Sequence, residues 1–267
     1  MFAALDQIVS ARRQSVARAK AGANLAELRR RAEAAAPPGF RGALEAREYA
    51  VIAELKKASP SRGLIRGDFD VAALAAGFSR AGAAALSVLT EEEHFQGSLA
   101  NIELAHQASN LPCLRKDFIV DEFQVVEARA VGASAILLIV AALTDSELQR
   151  FHNAARELSI DVLCEVHDAE ELRRALDIGF GIIGVNNRNL RTFEVDLEAA
   201  LRLAQHIPSG VLKVAESGIH TAADLVRLRQ AGYDAFLIGE SLMRAEDPGQ
   251  ALAQLLQTAS ATAAAHS

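Results

Sequence analysis

The sequence predicts a single (β/α)8 barrel, a TIM barrel, with an extra helical segment before its first strand. Three observations predict it. A short apolar run, a polar loop and about ten residues of helical period recur eight times from Tyr49 onward. The runs are almost continuously apolar, as strands covered on both faces must be. Eight such units favour closure of the parallel sheet into a barrel. The chain has 267 residues, and barrels of about 250 residues fold as one unit.

Residues 1–48 form the extension. Leu5, Ile8, Val9 and Val16, then Leu25 and Leu28, fit two helices broken near Gly22 and ended by Pro37-Pro38-Gly39. The arginines of this segment read as a solvated face. The barrel is expected over residues 49–256, with strands at Tyr49–Leu55, Ala84–Leu89, Pro112–Leu114, Ala135–Ile139, Asp161–Cys164, Ile182–Val185, Leu212–Ala215 and Ala235–Ile238. Helices between them include Val71–Ala81, Asp121–Val131, Thr144–Leu158, Ala169–Ile178, Leu197–His206 and Thr221–Ala231. Gly82, Gly132, Gly179 and Gly232 stand where left-handed C-caps are needed. Thr221 and Asp224 resemble a capping box. Residues 257–267 are small and polar without apolar period and read as a disordered tail.

A doubly wound open sheet is the alternative architecture, but it ordinarily carries a dinucleotide fingerprint after its first strand, and none follows Leu55. The letters from Gly179 to Gly184 match G-x-G-x-x-G in the wrong setting, with a helix before and a strand after. Net charge is −6 without a basic stripe, which argues against nucleic-acid binding. No apolar run reaches the ~20 residues of a membrane helix, and no signal-peptide core opens the chain. Cys113 and Cys164 sit in apolar runs and read as reduced core thiols, so a cytoplasmic protein is expected.

Barrels of this kind place their sites at the C-terminal ends of the strands. The residues there are unusually charged: Glu54 and Lys56, two apart and so on one face of the first strand; Arg115, Lys116 and Asp117; Glu165; Asn186, Asn187 and Arg188; Glu216 and Ser217. The loop from Ser59 to Gly63 could close over a ligand. Ser217-Gly218 and Gly239-Glu240-Ser241 follow the last two strands, where barrels commonly hold phosphate through backbone N–H groups. Glu240 is an awkward neighbour for an anion unless its carboxylate points away. Scattered histidines give no zinc spacing, so no metal is expected, and His167 reads as a helix-entry residue rather than a base.

Seven stretches resemble the indole-3-glycerol phosphate synthase family: AELKKASPSRG from Ala53, SVLTEEEHFQGS from Ser87, LRKDF from Leu114, CEVHD from Cys164, GVNNRNL from Gly184, AESGI from Ala215 and LIGESLM from Leu237. The resemblance implies ring closure, decarboxylation and dehydration of 1-(2-carboxyphenylamino)-1-deoxyribulose 5-phosphate. It implies Lys116 as general acid and Glu165 as general base, with Glu54, Lys56 and Glu216 completing the catalytic set. Asn186 and Arg188 would hold the anthranilate ring and carboxylate, and Phe95 and Phe118 would wall the site. Ser59, Ser217, Gly218, Gly239 and Glu240 would bind substrate, the last three near its phosphate. The family also places a basic N-terminal helix over the site. Arg115, beside Lys116, is expected to make the ammonium more acidic. No cofactor is implied, the partner is a small phosphorylated anthranilate-derived substrate, and a monomer is expected, with association to other tryptophan-pathway enzymes left open. The competing functions are another phosphate-binding barrel enzyme of that pathway, an isomerase or indole-releasing lyase, and a non-catalytic barrel that binds phosphometabolites.

Overall fold

The computed structural model describes residues 3–188 and 195–264. Its sheet is a closed parallel barrel of β1 (Ala50–Leu55), β2 (Ala85–Leu89), β3 (Cys113–Lys116), β4 (Ala135–Ile139), β5 (Asp161–Val166), β6 (Ile182–Asn186), β7 (Leu212–Glu216) and β8 (Ala235–Ile238). Neighbours in sequence pair, and β8 returns to β1 through Ala50 opposite Ala235 and Ile52 opposite Leu237. Helices α1 (Ala3–Gly22), α2 (Leu25–Ala34) and α3 (Phe40–Glu45) precede the barrel. Then come α4 (Val71–Ala81), α5 (Ala100–Ser109), α6 (Glu122–Ala130), α7 (Asp145–Glu157), α8 (Ala169–Ile178), α9 (Leu197–Ala204) and α10 (Ala222–Gln230), and after β8 the short α11 (Glu240–Met243) and α12 (Pro248–Ala264).

Side-chain alternation divides the strands into two apolar layers. Ala50, Ile52, Leu114, Leu137, Leu163, Val214 and Leu237 fill the interior, while Val51, Ala53, Cys113, Ile136, Cys164, Ile183 and Phe236 pack under the helices. Burial raises the thiols of both free cysteines, Cys113 to about 12. Helix α3, absent from the expected set, closes the N-terminal end: Phe40 and Leu44 join the interior cluster. Arg41 fastens it by donating to the carbonyls of Gly181 and Gly210, both at 3.0 Å.

The four helix-ending glycines have φ between 81° and 95°, as left-handed caps require. The Thr221 capping box forms, and Asp121 and Thr144 make two more. Helix α5 is also an addition, because Leu99 at its N-cap offers no side-chain acceptor. The expected tail is corrected by α12, which continues to Ala264 and buries Ala259; residues 265–267, like Asn189 and Leu190, lie outside the described residues. Among the described residues no helix is long and apolar enough to cross a membrane.

Four strands extend farther than expected. β3 and β5 gain two residues and β6 and β7 one, which brings Lys116, Glu165, Asn186 and Glu216 into the ladder. Polar residues read as loop from sequence continue the strand here because Leu89 opposes Lys116, Ile139 opposes Glu165 and Asn186 opposes Glu216 in register.

The solvated face expected of the extension is present, since Arg13, Arg18, Arg29, Arg30 and Arg31 are exposed, and Arg12 alone among the arginines of residues 1–35 departs from it. Arg12 reaches the buried carboxylate of Asp117, Arg13 pairs with Glu147 at 2.9 Å, and Lys20 pairs with Asp121 at 2.9 Å. These contacts lay α1 against the loops beyond the C-terminal ends of β3 and β4.

Candidate active site

At the C-terminal end of the barrel a cavity of about 500 Å³ opens, and every residue to which the resemblance gives a catalytic or substrate-binding role lines it: Glu54, Lys56, Ser59, Phe95, Lys116, Phe118, Glu165, Asn186, Arg188, Glu216, Ser217, Gly218, Gly239 and Glu240; Arg115 and Asn187, also named at the strand ends, do not. Leu5 and Ile8 of α1 line it too, which amphipathic period alone could not have assigned.

The deepest polar layer is set by strand alternation. Glu54, Lys116, Glu165 and Glu216 occupy the inward positions above the apolar interior, and the three carboxylates are 4, 2 and 1 % exposed. Burying that much charge is tolerable only when it is paired. Lys56 Nζ lies 2.6 Å from Glu54 Oε1, and Ser87 donates to Glu54 Oε2 at 3.3 Å. Lys116 Nζ lies 3.3 Å from Glu165 Oε2 and 3.7 Å from Glu216 Oε2. Two glycines create the space: a Cβ on Gly184 would stand 2.1 Å from Glu216 Oε1, and one on Gly239 would stand 2.3 Å from Glu54 Oε1. The space at Gly239, expected to serve a phosphate, is therefore occupied on its inner side by Glu54.

These pairings sort the protonation states. Burial works against charge on Glu165, but Lys116, His167 and Asn186 outweigh it and hold its carboxyl well below the usual range. Burial, together with the charges of Glu165 and Glu54, pushes Glu216 up to about 8, and its Oε1 has no hydrogen-bond partner. Glu54 is lowered because Lys56 and Lys116 overcome its burial. For Lys116 burial opposes the ammonium, yet Glu165, Glu216 and Glu54 raise it above its ordinary value. The expected acidification by Arg115 is thus overturned. Arg115 faces the opposite side of β3, where it meets Asp117 at 3.1 Å, Glu127 at 3.3 Å and the carbonyl of Gln124 at 2.7 Å; adjacent residues of a strand point apart.

The rim is built from loops. Asp117 accepts from Thr90, Arg115 and the backbone N–H of Phe118, which fixes Phe118 against Phe95 with ring centroids 6.3 Å apart. Glu91, unmarked in the sequence reading, accepts the N–H groups of Glu93, His94 and Phe95 and so braces the loop carrying Phe95. Glu91, Glu93 and His94 have donor atoms close enough to share a cation, but both Glu91 oxygens are already engaged by this loop. Asn187 is a loop support: it donates to the Ser217 carbonyl at 3.1 Å and accepts from Ala200 N–H at 3.1 Å.

Ser217 and Gly218 adopt φ of 67° and 79°, a sharp turn in which a Cβ on Gly218 would stand 2.4 Å from Val195. Glu240 ceases to be awkward, because Arg62 at 3.1 Å, Arg188 at 3.6 Å and Arg244 at 3.1 Å surround its carboxylate. Arg62 also ties the Ser59–Gly63 loop, where Ala58 and Ser59 pair antiparallel with Leu64 and Gly63, to the opposite rim. His167 does more than enter a helix: its Nε2 is 3.3 Å from Glu165 Oε1 and its Nδ1 is 3.0 Å from Glu171 Oε2. The signal was present in the spacing, since Glu165 and His167 are two apart, as Glu54 and Lys56 are.

A closed β/α barrel whose mouth holds ammonium groups among buried carboxylates is an enzyme barrel equipped for proton transfer. The chain belongs to the indole-3-glycerol phosphate synthase family, whose model matches residues 5–255. It is 58 % identical over 259 residues to an indole-3-glycerol phosphate synthase of Koribacter versatilis, covering 96 % of this chain and 100 % of that one. A second relative of the same name, from Laribacter hongkongensis, is 51 % identical over 257 residues, covering 94 % and 98 %. Among solved structures, thiamine phosphate pyrophosphorylase from Pyrococcus furiosus superposes with a TM-score of 0.59 at 15 % identity, covering 80 % of this chain and 96 % of that one, a likeness of fold alone.

Proposed function

We propose that the chain converts 1-(2-carboxyphenylamino)-1-deoxyribulose 5-phosphate into indole-3-glycerol phosphate, carbon dioxide and water, the ring-closing step of tryptophan biosynthesis. The observation that carries the mechanism is the Lys116 ammonium, held at 3.3 Å from Glu165 and 3.7 Å from Glu216 inside the cavity. Lys116 donates its proton to the ribulose carbonyl oxygen as the anthranilate ring carbon attacks. Its raised proton affinity is no obstacle, because an oxygen becoming an alkoxide is a stronger base than an amine. The ring carboxylate then leaves as carbon dioxide. In the dehydration the hydroxyl departs as water, protonated by the ammonium, while Glu165, kept ionised by its cations, removes the proton that aromatises the new ring. Glu216, which holds a proton, donates a hydrogen bond rather than acting as a base.

Asn186 and Arg188 hold the anthranilate end, Phe95 and Phe118 form its apolar walls, and Ser59 contacts the sugar chain. Ser217, Gly218, Gly239 and Glu240 form the phosphate end, with Arg62 and Arg244 beside Glu240 supplying positive charge. Lys56 and Glu54 complete the inner set as a paired support for Lys116. The chemistry consists of proton transfers and calls on no cofactor. The two unpaired, buried cysteines support a reducing compartment, the cytoplasm.

Fluorescence of the indole ring of the product after mixing the protein with the carboxyphenylamino substrate tests the reading, and a folded protein that yields no indole-3-glycerol phosphate refutes it. In Lys116→Ala, kcat should fall about 10²–10⁴-fold with KM little changed; near-normal turnover removes Lys116 from its role.

A further inference from the structure

His167 belongs to no step above, yet it closes a line of polar contacts running out of the cavity. Lys116 Nζ meets Glu165 Oε2 at 3.3 Å, Glu165 Oε1 meets His167 Nε2 at 3.3 Å, and His167 Nδ1 meets Glu171 Oε2 at 3.0 Å. A purely structural role does not require the ring. The helix entry is made by the His167 backbone N–H, which donates to Glu171 Oε2 at 2.8 Å, and by Asp168, which caps α8 through the Glu171 N–H at 2.9 Å. The imidazole itself lies against the inner carboxylate as an ion pair: Nε2 is buried and makes no formed hydrogen bond, while the side chain as a whole is 12 % exposed.

The proposed reaction supplies a need for such a group. A substrate carboxylate leaves as neutral carbon dioxide, so each turnover consumes one proton. The acid acts twice, at the carbonyl and at the departing hydroxyl, and Glu165 recovers one proton. The second must come from water.

We propose that His167 is a positioning residue and proton relay that holds Glu165 by its outer oxygen and feeds the consumed proton through it to Lys116. This rests on the ring-closing reaction above. Once Lys116 has become a neutral amine, the imidazolium passes its Nε2 proton to Glu165 Oε1. The carboxyl group then rotates to present that same proton to Lys116, which takes it, so that ammonium and carboxylate are restored, and one proton from bulk water restores the imidazolium. The charged and titratable groups around the ring are Glu165 on its own strand, Glu171 and Asp168 at the start of α8, Lys116 on β3 and Glu216 on β7. Burial disfavours the imidazolium, but Glu165 and Glu171 outweigh it and bring the ring to about 10, so it is charged at neutral pH.

The test uses the full chain. Wild-type protein should form indole-3-glycerol phosphate with uptake of one proton per product in indicator-monitored, weakly buffered, mildly acidic solution, where the released carbon dioxide stays unhydrated and does not return the proton as it forms bicarbonate; failure here overturns the reaction and leaves the relay without a purpose. With that in hand, His167→Ala should lower kcat about 10²-fold with KM within about threefold, and added imidazole should restore much of the loss. Glu171→Gln keeps the ring but removes the anion that stabilises its charge, so the alkaline limb of kcat should move to lower pH. An active wild type with a His167→Ala kcat within about twofold of normal, or a loss that imidazole does not repair together with an unmoved limb in Glu171→Gln, overturns the relay alone.

Discussion

Replacing Gly184 by alanine is the sharpest single perturbation of the inner charge layer. The residue lies inside β6 and needs no special backbone angle; what it provides is space. An added Cβ would stand 2.1 Å from Glu216 Oε1 and 3.1 Å from Leu163 Cδ1, about 1.3 Å short of the 3.4 Å at which ordinary contact begins for the oxygen. Glu216 is 1 % exposed and cannot retreat into water, so its carboxylate must rotate or the strand must shift. Overpacking of this kind costs about 1–3 kcal/mol, which at this chain length lowers Tm by roughly 2–4 °C per kcal/mol. A displacement near 1 Å beside the Lys116 ammonium, now 3.7 Å from Glu216, is enough to reduce kcat by about 10²-fold. Thermal unfolding and formation of indole-3-glycerol phosphate measure the two effects. A double-mutant cycle isolates the cause: with Glu216→Ala already present, Gly184→Ala should lose most of its cost in stability. A normal Tm and kcat in Gly184→Ala, or an equal cost in both backgrounds, would refute the reasoning.

Two further outcomes follow from the same structure. Glu216 has a native pKa raised to about 8 from an ordinary 4.5. Between those values the folded chain keeps a proton the unfolded chain has lost, and stability falls as pH rises. In Glu216→Gln that fall should shrink, measured as urea midpoints at about pH 5 and about pH 8; an unchanged slope would assign the proton elsewhere. Phe40→Ala removes the plug at the closed end of the barrel, where the ring is fully buried, and should cost about 3–5 kcal/mol while kcat per folded molecule is kept. A Tm shift below about 1 °C would mean that α3 does not close the barrel.

The eight strands were legible because each is an apolar run between turn signals, and Ala135–Ile139 and Ala235–Ile238 have the expected limits. The errors cluster where one local signal carried two meanings. Lys116, Glu165 and Glu216 looked like loop residues because charge usually marks solvent, yet here charges from opposite strands satisfy one another and the ladder continues through them. Arg115 and Lys116 looked like a pair because they are adjacent, but a strand separates neighbours and unites residues two apart. That same rule, applied to Glu54 and Lys56, was sound, and applied to Glu165 and His167 it would have found the histidine. Helix α12 escaped notice because its end is rich in alanine and threonine: alanine is a strong helix former, but small side chains leave no apolar stripe to count. Arg12 required the tertiary structure, since its partner Asp117 is remote in sequence.

The charge layout explains how an acidic chain can take an anionic substrate. In the inner layer Glu54 and Glu165 are balanced by Lys56 and Lys116, and Glu216 keeps its proton, so the proton-transfer end presents little net charge. His167 and Glu171 balance one another behind it. At the rim the ratio changes, with Arg62, Arg188 and Arg244 around the single carboxylate of Glu240. The rim thus offers a local group of guanidiniums although the whole chain carries −6. A site with this division orients a ligand by charge, and it does so at one end of the barrel: β1 supplies Glu54 to the inner layer and, through the loop that follows it, Arg62 to the rim.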